Sequence, residues 1–220
     1  MSHVTAERAQ RILHAISRDL TLVSLSLAYG AFTNEVRILE CRTPSGSALR
    51  LAVKRMTDDD AWDAPKRATA DFHGLQIARA HGIPAPEPLL LDDTGDVLGA
   101  PGIVTRMVEG RQIAAPESVS EWAKSLAEQL IKIHDVTPNE DERKHLYYGN
   151  ELGLYFLERD YPERMAGHPL SDTIFDAIRE LRHDIEKIPA VFIHMDYWPG
   201  NVLWHDGKIS AVLDWDACGY

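Results

Sequence analysis

Apolar and polar residues alternate through the early part of the chain, which is the spacing of strands with one buried face. An amphipathic stretch at residues 5–19 precedes them and predicts a helix, with Thr5 as its N-cap. Alternation then predicts three strands, over residues 20–27, 36–40 and 49–54. A turn at residues 44–47 joins the last two, so we expect the chain to open as an antiparallel meander.

Helical spacing begins after this meander. Residues 66–81 predict a helix that ends at Gly82, because glycine readily adopts the left-handed conformation of a helix C-terminus. Apolar runs then predict two further strands, at residues 89–91 and 102–107. The resulting order is three strands, a helix and two strands.

The pattern changes again after Gly110. Three more helices are predicted by apolar residues at helical spacing, over residues 118–134, 150–165 and 171–187. Two short strands follow near the C-terminus. The predicted fold class is therefore α+β, with an N-terminal lobe of antiparallel strands and a helix over residues 1–107 and a mainly helical C-terminal lobe over residues 108–220.

The composition narrows the possible functions. A formal net charge of −11 over 220 residues disfavours binding to a nucleic-acid backbone and suits metal ions or cationic small molecules. No apolar run is long enough to cross a membrane, so we expect no membrane partner. The two cysteines, Cys41 and Cys218, lie in no motif and favour free thiols in the cytoplasm. The oligomeric state stays open.

Candidate chemistry is concentrated in residues 191–220. His194, Asp196 and Asn201 form the pattern H-x-D-x-x-x-x-N, and a later apolar run ends in Asp214. A hairpin with a turn at residues 205–208 would bring Asn201 and Asp214 to the same end. Amide and carboxylate oxygens are ligands that Mg²⁺ accepts, so the segment predicts a site for a divalent cation and a phosphate ester.

With its strand order and these motifs, the chain resembles the aminoglycoside phosphotransferase and choline kinase-like branch of the protein-kinase-like fold. The resemblance runs from about Leu20 to Tyr220 and is strongest in IHMDYWPGNVLWHDGKISAVLDWD. Met195 after the histidine, and Trp215 and Asp216 after Asp214, separate the segment from the protein kinases.

The resemblance implies roles for the terminal motif. Asp196 and His194 are the expected catalytic residues, with Asp196 accepting or orienting the proton of the attacking hydroxyl. His194 is expected to hold the loop through a hydrogen bond toward the Asp214 region. Asn201 and Asp214 are the expected Mg²⁺ ligands. For Asp216 the role stays open between support of a metal ligand, contact with a substrate and binding of a second metal ion. Trp198, Trp204 and Trp215 are expected to pack in the core, and a sugar or drug pocket is the alternative for one of them.

Roles on the donor side follow from the same resemblance. Lys54, at the end of the third strand, is the expected ligand of the nucleotide phosphates. Asp71 replaces the glutamate that usually pairs with this lysine, and its side chain is one methylene shorter. Either the helix that carries Asp71 lies closer to Lys54, or the ion pair with Lys54 is looser. Gly30 and Asn34 lie in the loop expected to cover the phosphates, and Met107 lies in the hinge expected to meet the adenine.

The predicted function is ATP- and Mg²⁺-dependent transfer of the γ-phosphate to a hydroxyl of an aminoglycoside-like, sugar-like or choline-like acceptor. Two alternatives remain: a catalytically impaired nucleotide-binding module, and a metal-dependent phosphoesterase, which leaves Lys54 unexplained. The choice between ATP and GTP also stays open. Because the sequence stops at Tyr220, soon after the metal strand, we expect an incomplete C-terminal lobe with exposed apolar surface and impaired activity.

Overall fold

The computed structural model describes residues 4–28, 34–57, 63–151, 165–185 and 187–220. The helices described are α1 (Ala6–Ile16), α2 (Ala64–Ala80), α3 (Val119–His134), α4 (Glu140–Arg143) and α5 (Ser171–Ile185). The strands are β1 (Thr21–Leu27), β2 (Glu35–Arg42), β3 (Ala48–Arg55), β4 (Pro88–Asp92), β5 (Gly102–Arg106), β6 (Val202–His205) and β7 (Lys208–Val212). The helix predicted over residues 150–165 falls largely outside the described residues.

The N-terminal sheet has five antiparallel strands in the order β1-β2-β3-β5-β4. The meander predicted from alternation is confirmed, and β5 pairs with β3 rather than lying at the edge. Lys54 therefore lies on the central strand, between Val36 of β2 and Ile103 of β5. A lysine in this position has its backbone fixed on both sides, so its direction is set by the sheet.

Helix α1 covers one face of this sheet. Its first turn is capped by Thr5, whose hydroxyl oxygen accepts a hydrogen bond from the Arg8 N–H at 3.2 Å, as predicted. Its apolar stripe is fully buried in a cluster with the sheet: Ala9, Ile12 and Leu13 pack with Leu39, Leu51, Val53 and Val104. The other face of the sheet is thereby left to α2.

Helix α2 belongs to a second cluster that reaches the C-terminal part of the chain. This cluster contains Ala70, Ile77 and Ile103 together with Ile133, Phe192, Val212 and Trp215. Residues from both sides of the boundary predicted at 107/108 therefore share one core. The division into lobes at that boundary stays a prediction.

Strands β6 and β7 form a separate two-stranded sheet. Asp206 and Gly207 connect them with φ angles of 49° and 73°, the left-handed pair that a tight hairpin turn requires. The predicted turn at residues 205–208 is thus confirmed. No helix in the described residues is long and apolar enough to span a bilayer.

Candidate functional site

The β6–β7 hairpin brings Asn201 and Asp214 to one end, as their spacing predicts. Val202 pairs with Val212, so the residues flanking this pair leave the hairpin side by side. The N–H of Leu213 donates to the Asn201 carbonyl at 2.8 Å and extends the pairing by one step. Asp214 follows with a φ of 65°, which turns its carboxylate out of the strand direction.

Asn201 is tied to Asp196 by both hydrogens of its side-chain amide. The nitrogen Nδ2 donates to the Asp196 carbonyl oxygen at 3.0 Å and to its carboxylate Oδ2 at 2.9 Å. Both partners are acceptors, so the contacting atom must be the amide nitrogen. The carbonyl Oδ1 of Asn201 is therefore the atom left for a hard cation.

His194 is buried and uses both ring nitrogens inside the loop. Its Nε2 lies 2.9 Å from the Leu213 carbonyl oxygen, and its Nδ1 accepts the Asp196 N–H at 3.3 Å. A neutral ring protonated on Nε2 satisfies both contacts. Burial lowers the pKa of His194 to about 4, so the ring is neutral at physiological pH. These contacts fit a residue that holds the loop, and they leave neither nitrogen free for a substrate.

Asp196 lies at the exposed surface of the same loop. Partial loss of hydration raises the pKa of its carboxyl above the ordinary aspartate value, and the hydrogen bond from Asn201 opposes this rise. The charges of Asp214 and Asp216 raise it further. The carboxyl is therefore more basic than a free aspartate and is open to a small molecule.

Lys54 connects the sheet to three carboxylates. Its Nζ lies 2.8 Å from Asp71, 3.3 Å from Asp216 and in close contact with Asp214. Burial alone would lower the pKa of Lys54, but the carboxylates outweigh it and raise the pKa above the ordinary value. The lysine is thus a fixed positive charge where α2 meets the end of the terminal hairpin.

Asp71 is almost fully buried, with 2% of its surface exposed. One carboxylate oxygen accepts Lys54, and the other accepts the Trp215 N–H at 3.1 Å. Burial raises its pKa to about 6, although Lys54 opposes the rise. Of the two possibilities left by the short aspartate, the looser pair does not hold, because Asp71 contacts Lys54 at 2.8 Å.

Gly74 explains how α2 comes so close. A Cβ atom at this position would lie 2.5 Å from Cys218 Sγ and 3.2 Å from Trp215 Cβ. The Cys218 thiol in turn lies 3.3 Å from the Ala70 carbonyl oxygen. The missing side chain lets the helix approach the segment after β7, and the shorter carboxylate at position 71 suffices.

Asn34 lies just before β2 and contacts other side chains of the site. Its amide nitrogen donates to Asp216 at 3.3 Å, and its carbonyl oxygen accepts Arg67 at 3.2 Å. Arg67 also donates to Asp216 at 2.6 Å. Burial would raise the pKa of Asp216, but Lys54 and Arg67 hold it below its usual value.

Arg67 is the residue that reasoning from the sequence missed. It precedes Asp71 by one helical turn, and residues four apart lie on the same face of a helix. The spacing of four residues between Arg67 and Asp71 was the signal in the sequence from which Arg67 could have been assigned to the site. Gly30, the other residue predicted for this loop, lies outside the described residues.

The predicted hinge follows β5 directly. The Met107 N–H donates to the Arg50 carbonyl at 3.0 Å, so this donor is committed to the neighbouring strand. A nucleotide base at the hinge would have to use the Met107 carbonyl or groups further along. Beyond Gly110, Arg111 and Trp204 exchange two backbone hydrogen bonds of 3.0 and 2.9 Å. These bonds attach the chain that follows the predicted hinge to strand β6.

The tryptophans of the terminal motif differ in burial. Trp215 is fully buried and stacks on Phe192 with ring centroids 5.1 Å apart, and Trp204 is 7% exposed. Trp198 is 52% exposed, so the prediction of core packing is wrong for this residue. Its ring lies over Gly200, where a Cβ atom would meet it at 2.2 Å.

Within the described ranges, no cluster of three or more His, Cys, Asp or Glu side chains has the arrangement of a metal site. The predicted ligand pair does not depend on such a cluster, since it consists of one amide and one carboxylate. Oxygen donors of this kind match a cation that keeps several water molecules and binds substrate phosphate, as Mg²⁺ does.

Known proteins share a sequence profile and a fold with this chain. The sequence profile of the phosphotransferase enzyme family matches residues 37–220. No curated protein matches the sequence. Among solved structures, a macrolide 2'-phosphotransferase from Brachybacterium faecium is similar with a TM-score of 0.61 at 16% identity, over 97% of this chain and 73% of that one.

Two further structures have the same fold. One is a candidate aminoglycoside phosphotransferase from Ralstonia eutropha JMP134, with a TM-score of 0.62 and 15% identity over 98% of this chain. The other is the aminoglycoside phosphotransferase APH(4)-Ia with AMP-PNP and hygromycin B, with a TM-score of 0.58 and 15% identity over 96% of this chain. This chain spans 65% of the length of the first and 71% of the second.

Proposed function

Because this chain belongs to the phosphotransferase enzyme family, we propose that it transfers the γ-phosphate of ATP to a hydroxyl group of a small molecule. The observation that carries the proposal is the position of Lys54. Its ammonium group lies where the central strand, α2 and the terminal hairpin meet, beside Asp71 and Asp214. Phosphoryl transfer depends mainly on such fixed charges and on positioning.

Lys54 is the residue proposed to bind the donor phosphates. Asp71 anchors it from the buried side, with its second oxygen fixed by the Trp215 N–H. The Lys54 side chain is 14% exposed, so its ion pair with Asp71 determines the direction in which the exposed part of the ammonium group points. In this arrangement Lys54 exchanges its contact with Asp214 for phosphate oxygens when the donor binds.

Asn201 and Asp214 are the residues proposed to hold Mg²⁺. The ion would neutralise charge on the transferred phosphate. This chain would contribute two oxygen ligands to the ion, at one end of the hairpin. Asn201 is oriented for this by Asp196, and Asp214 by its left-handed backbone.

Asp196 is proposed to face the acceptor hydroxyl. Its carboxylate lies at the exposed surface of the loop, and Asn201 and the neutral His194 keep the loop in place. In this position Asp196 orients the hydroxyl and accepts its proton as the oxygen attacks the phosphorus. Proton acceptance by a positioned group contributes roughly 10²–10⁴-fold to a rate.

The acceptor is proposed to be an amino-sugar, sugar-like or choline-like alcohol. Similar solved structures carry streptomycin or hygromycin B, and one is a macrolide phosphotransferase. The net charge of −11 favours a cationic acceptor among these classes. Buried free thiols at Cys41 and Cys218, together with an ATP donor, favour a reducing cytoplasmic setting.

The test is transfer of label from γ-labelled ATP to a panel of such acceptors, with and without Mg²⁺. We expect labelling that requires Mg²⁺ and that Asp196→Asn lowers by roughly 10²-fold or more, while ATP binding is kept. Asp206→Asn, at the far end of the hairpin, is the matched control. Binding of ATP without transfer to any acceptor would instead support a nucleotide-binding module, and release of phosphate from esters without ATP would support a phosphoesterase.

A further inference from the structure

Arg67 lies where three separate segments of the chain meet. From the first turns of α2, its Nη2 donates to Asp216 at 2.6 Å and to the Asn34 carbonyl oxygen at 3.2 Å. Asn34 closes the triangle by donating to the same Asp216 oxygen at 3.3 Å. The contacts join the residue before β2, the helix and the segment after β7.

The triangle is shielded from water. The side chains of Arg67 and Asp216 are 12% and 11% exposed. Charge pairs at this depth are screened less than surface pairs, and they are retained only when further hydrogen bonds satisfy the partners. Asn34 supplies such bonds to both members, so the pair and the amide act as one unit.

The charges around Lys54 explain why a second cation is needed. Lys54 contacts three carboxylates, and Asp216 is one of them at 3.3 Å. If Lys54 turned to a phosphate without Arg67 present, Asp216 would lose both of the cations that contact it among the described residues. Arg67 contacts the same Asp216 oxygen as Lys54, and its second contact, to Asn34, does not involve Lys54.

We propose that Arg67 is a positioning residue that holds Asp216 and Asn34 together, so that Lys54 is free to leave Asp214 and Asp216 for the donor phosphates while Asp71 still anchors it. The consequence for the donor rests on the proposed function. The three-way contact itself rests on the distances alone. Arg67 acts through its neighbours in this role and does not itself contact the nucleotide.

Nucleotide binding tests the consequence. With the full chain, the Kd for ATP is measured by calorimetry for Arg67→Gln, Arg67→Lys and Arg67→Gln in the Asp216→Asn background. We expect Arg67→Gln to weaken ATP binding about tenfold, because Asp216 then loses a strong charged hydrogen bond and retains Lys54 instead. Arg67→Lys should recover at least half of that loss on a logarithmic scale. In the Asp216→Asn background the change should be less than twofold.

Arg79→Gln is the matched control, since Arg79 lies on the same helix and donates to the Ala85 carbonyl at 3.0 Å. It should leave the Kd within twofold of the native value. An equal loss from Arg67→Gln with and without Asp216 would overturn the proposal, because Arg67 would then act directly on the nucleotide. A native Kd in Arg67→Gln would overturn it as well.

A second measurement needs no nucleotide. The equilibrium constant of unfolding in urea is compared for Arg67→Lys, Asn34→Ala and the double variant. We expect the double variant to change this constant at least threefold less than the product of the single effects, because both changes break one unit. Independent effects would refute the three-way contact. Failure of the native chain to bind ATP would count against the proposed function alone, since the unfolding cycle still decides the role of Arg67.

Discussion

The buried imidazole of His194 illustrates how one side chain determines the position of the loop that carries Asp196. It links Leu213, next to Asp214, to Asp196 through two hydrogen bonds. Because burial lowers its pKa to about 4, protonation opposes folding. The unfolded chain, with an ordinary histidine pKa of about 6.5, binds the proton more readily than the folded chain between these values. This contribution to stability is therefore present at neutral pH and is lost as the pH falls toward 4.

His194→Gln tests this effect at the residue scale. At pH 7.5 we expect the substitution to lower the free energy of unfolding by about 2–3 kcal/mol, the loss of a buried, hydrogen-bonded group. At pH 5 the difference in free energy of unfolding between the native and variant proteins should shrink by about 2 kcal/mol. At this pH the unfolded native chain binds a proton at His194, whereas the folded chain keeps the ring neutral. Urea unfolding at both pH values measures it.

His205→Gln is the control, because this imidazole is exposed in the β6–β7 turn. It should change the free energy of unfolding by about 0.5 kcal/mol or less at either pH. A difference between His194→Gln and the native protein that stays constant between pH 7.5 and 5 would contradict a buried neutral ring.

At the scale of elements, the approach of α2 to the terminal segment sets the geometry around Lys54. Gly74 gives the helix room against Trp215 and Cys218, and Asp71 then reaches Lys54 at 2.8 Å. The two positions are therefore expected to be coupled. Glutamate at position 71 needs more space between α2 and its neighbours than aspartate does. A side chain at position 74 would create that space by pushing α2 away from Trp215 and Cys218.

A double-mutant cycle between Gly74→Ala and Asp71→Glu measures this coupling. Each single change should destabilise the protein by about 1–3 kcal/mol through overpacking, even though alanine favours helix by about 1 kcal/mol. The double variant should lose at least about 1 kcal/mol less than the sum, because glutamate spans the wider gap. Gln76→Ala, exposed on the same helix, controls for helix propensity. Additive losses would mean that the two positions do not share a gap.

At the scale of the whole molecule, one hydrophobic cluster joins the N-terminal sheet to the C-terminal segments. Ile103 of β5 lies in the same core as Ile133 of α3 and Phe192 near the Asp196 loop. Strand β5, which pairs with the strand that carries Lys54, therefore shares one packed interior with Val212 of the terminal hairpin. The relative position of the sheet and the hairpin depends on this core as well as on the ion pairs of Lys54.

A shared core predicts one cooperative unfolding transition. Ile133→Ala, in α3, should lower the free energy of unfolding by about 2–5 kcal/mol, and hydrogen exchange should then accelerate in β3 as well as in α3. Ile131→Ala is the control, because this neighbouring side chain is 59% exposed. Acceleration confined to α3, or two separate thermal transitions, would show that residues 1–107 and 108–220 unfold as independent lobes.

Much of the architecture follows from local patterns. The strand order along the chain, the cap at Thr5 and the turn at residues 205–208 were predicted because periodicity and turn chemistry act between near neighbours. Burial is harder to predict from such patterns. Trp198 resembles Trp204 and Trp215 in the sequence, yet it is exposed, because the loop around Gly200 directs it outward.

The sequence by itself determined the element order of the described residues, the terminal hairpin and the family to which the chain belongs. The tertiary structure alone decided how short Asp71 can be, why Gly74 is needed and that Arg67 joins Asn34 to Asp216. These features depend on distances between residues far apart in the chain, such as the 149 positions between Arg67 and Asp216. Local spacing cannot fix such distances, since they are set by the packing of α2 between the sheet and the terminal hairpin.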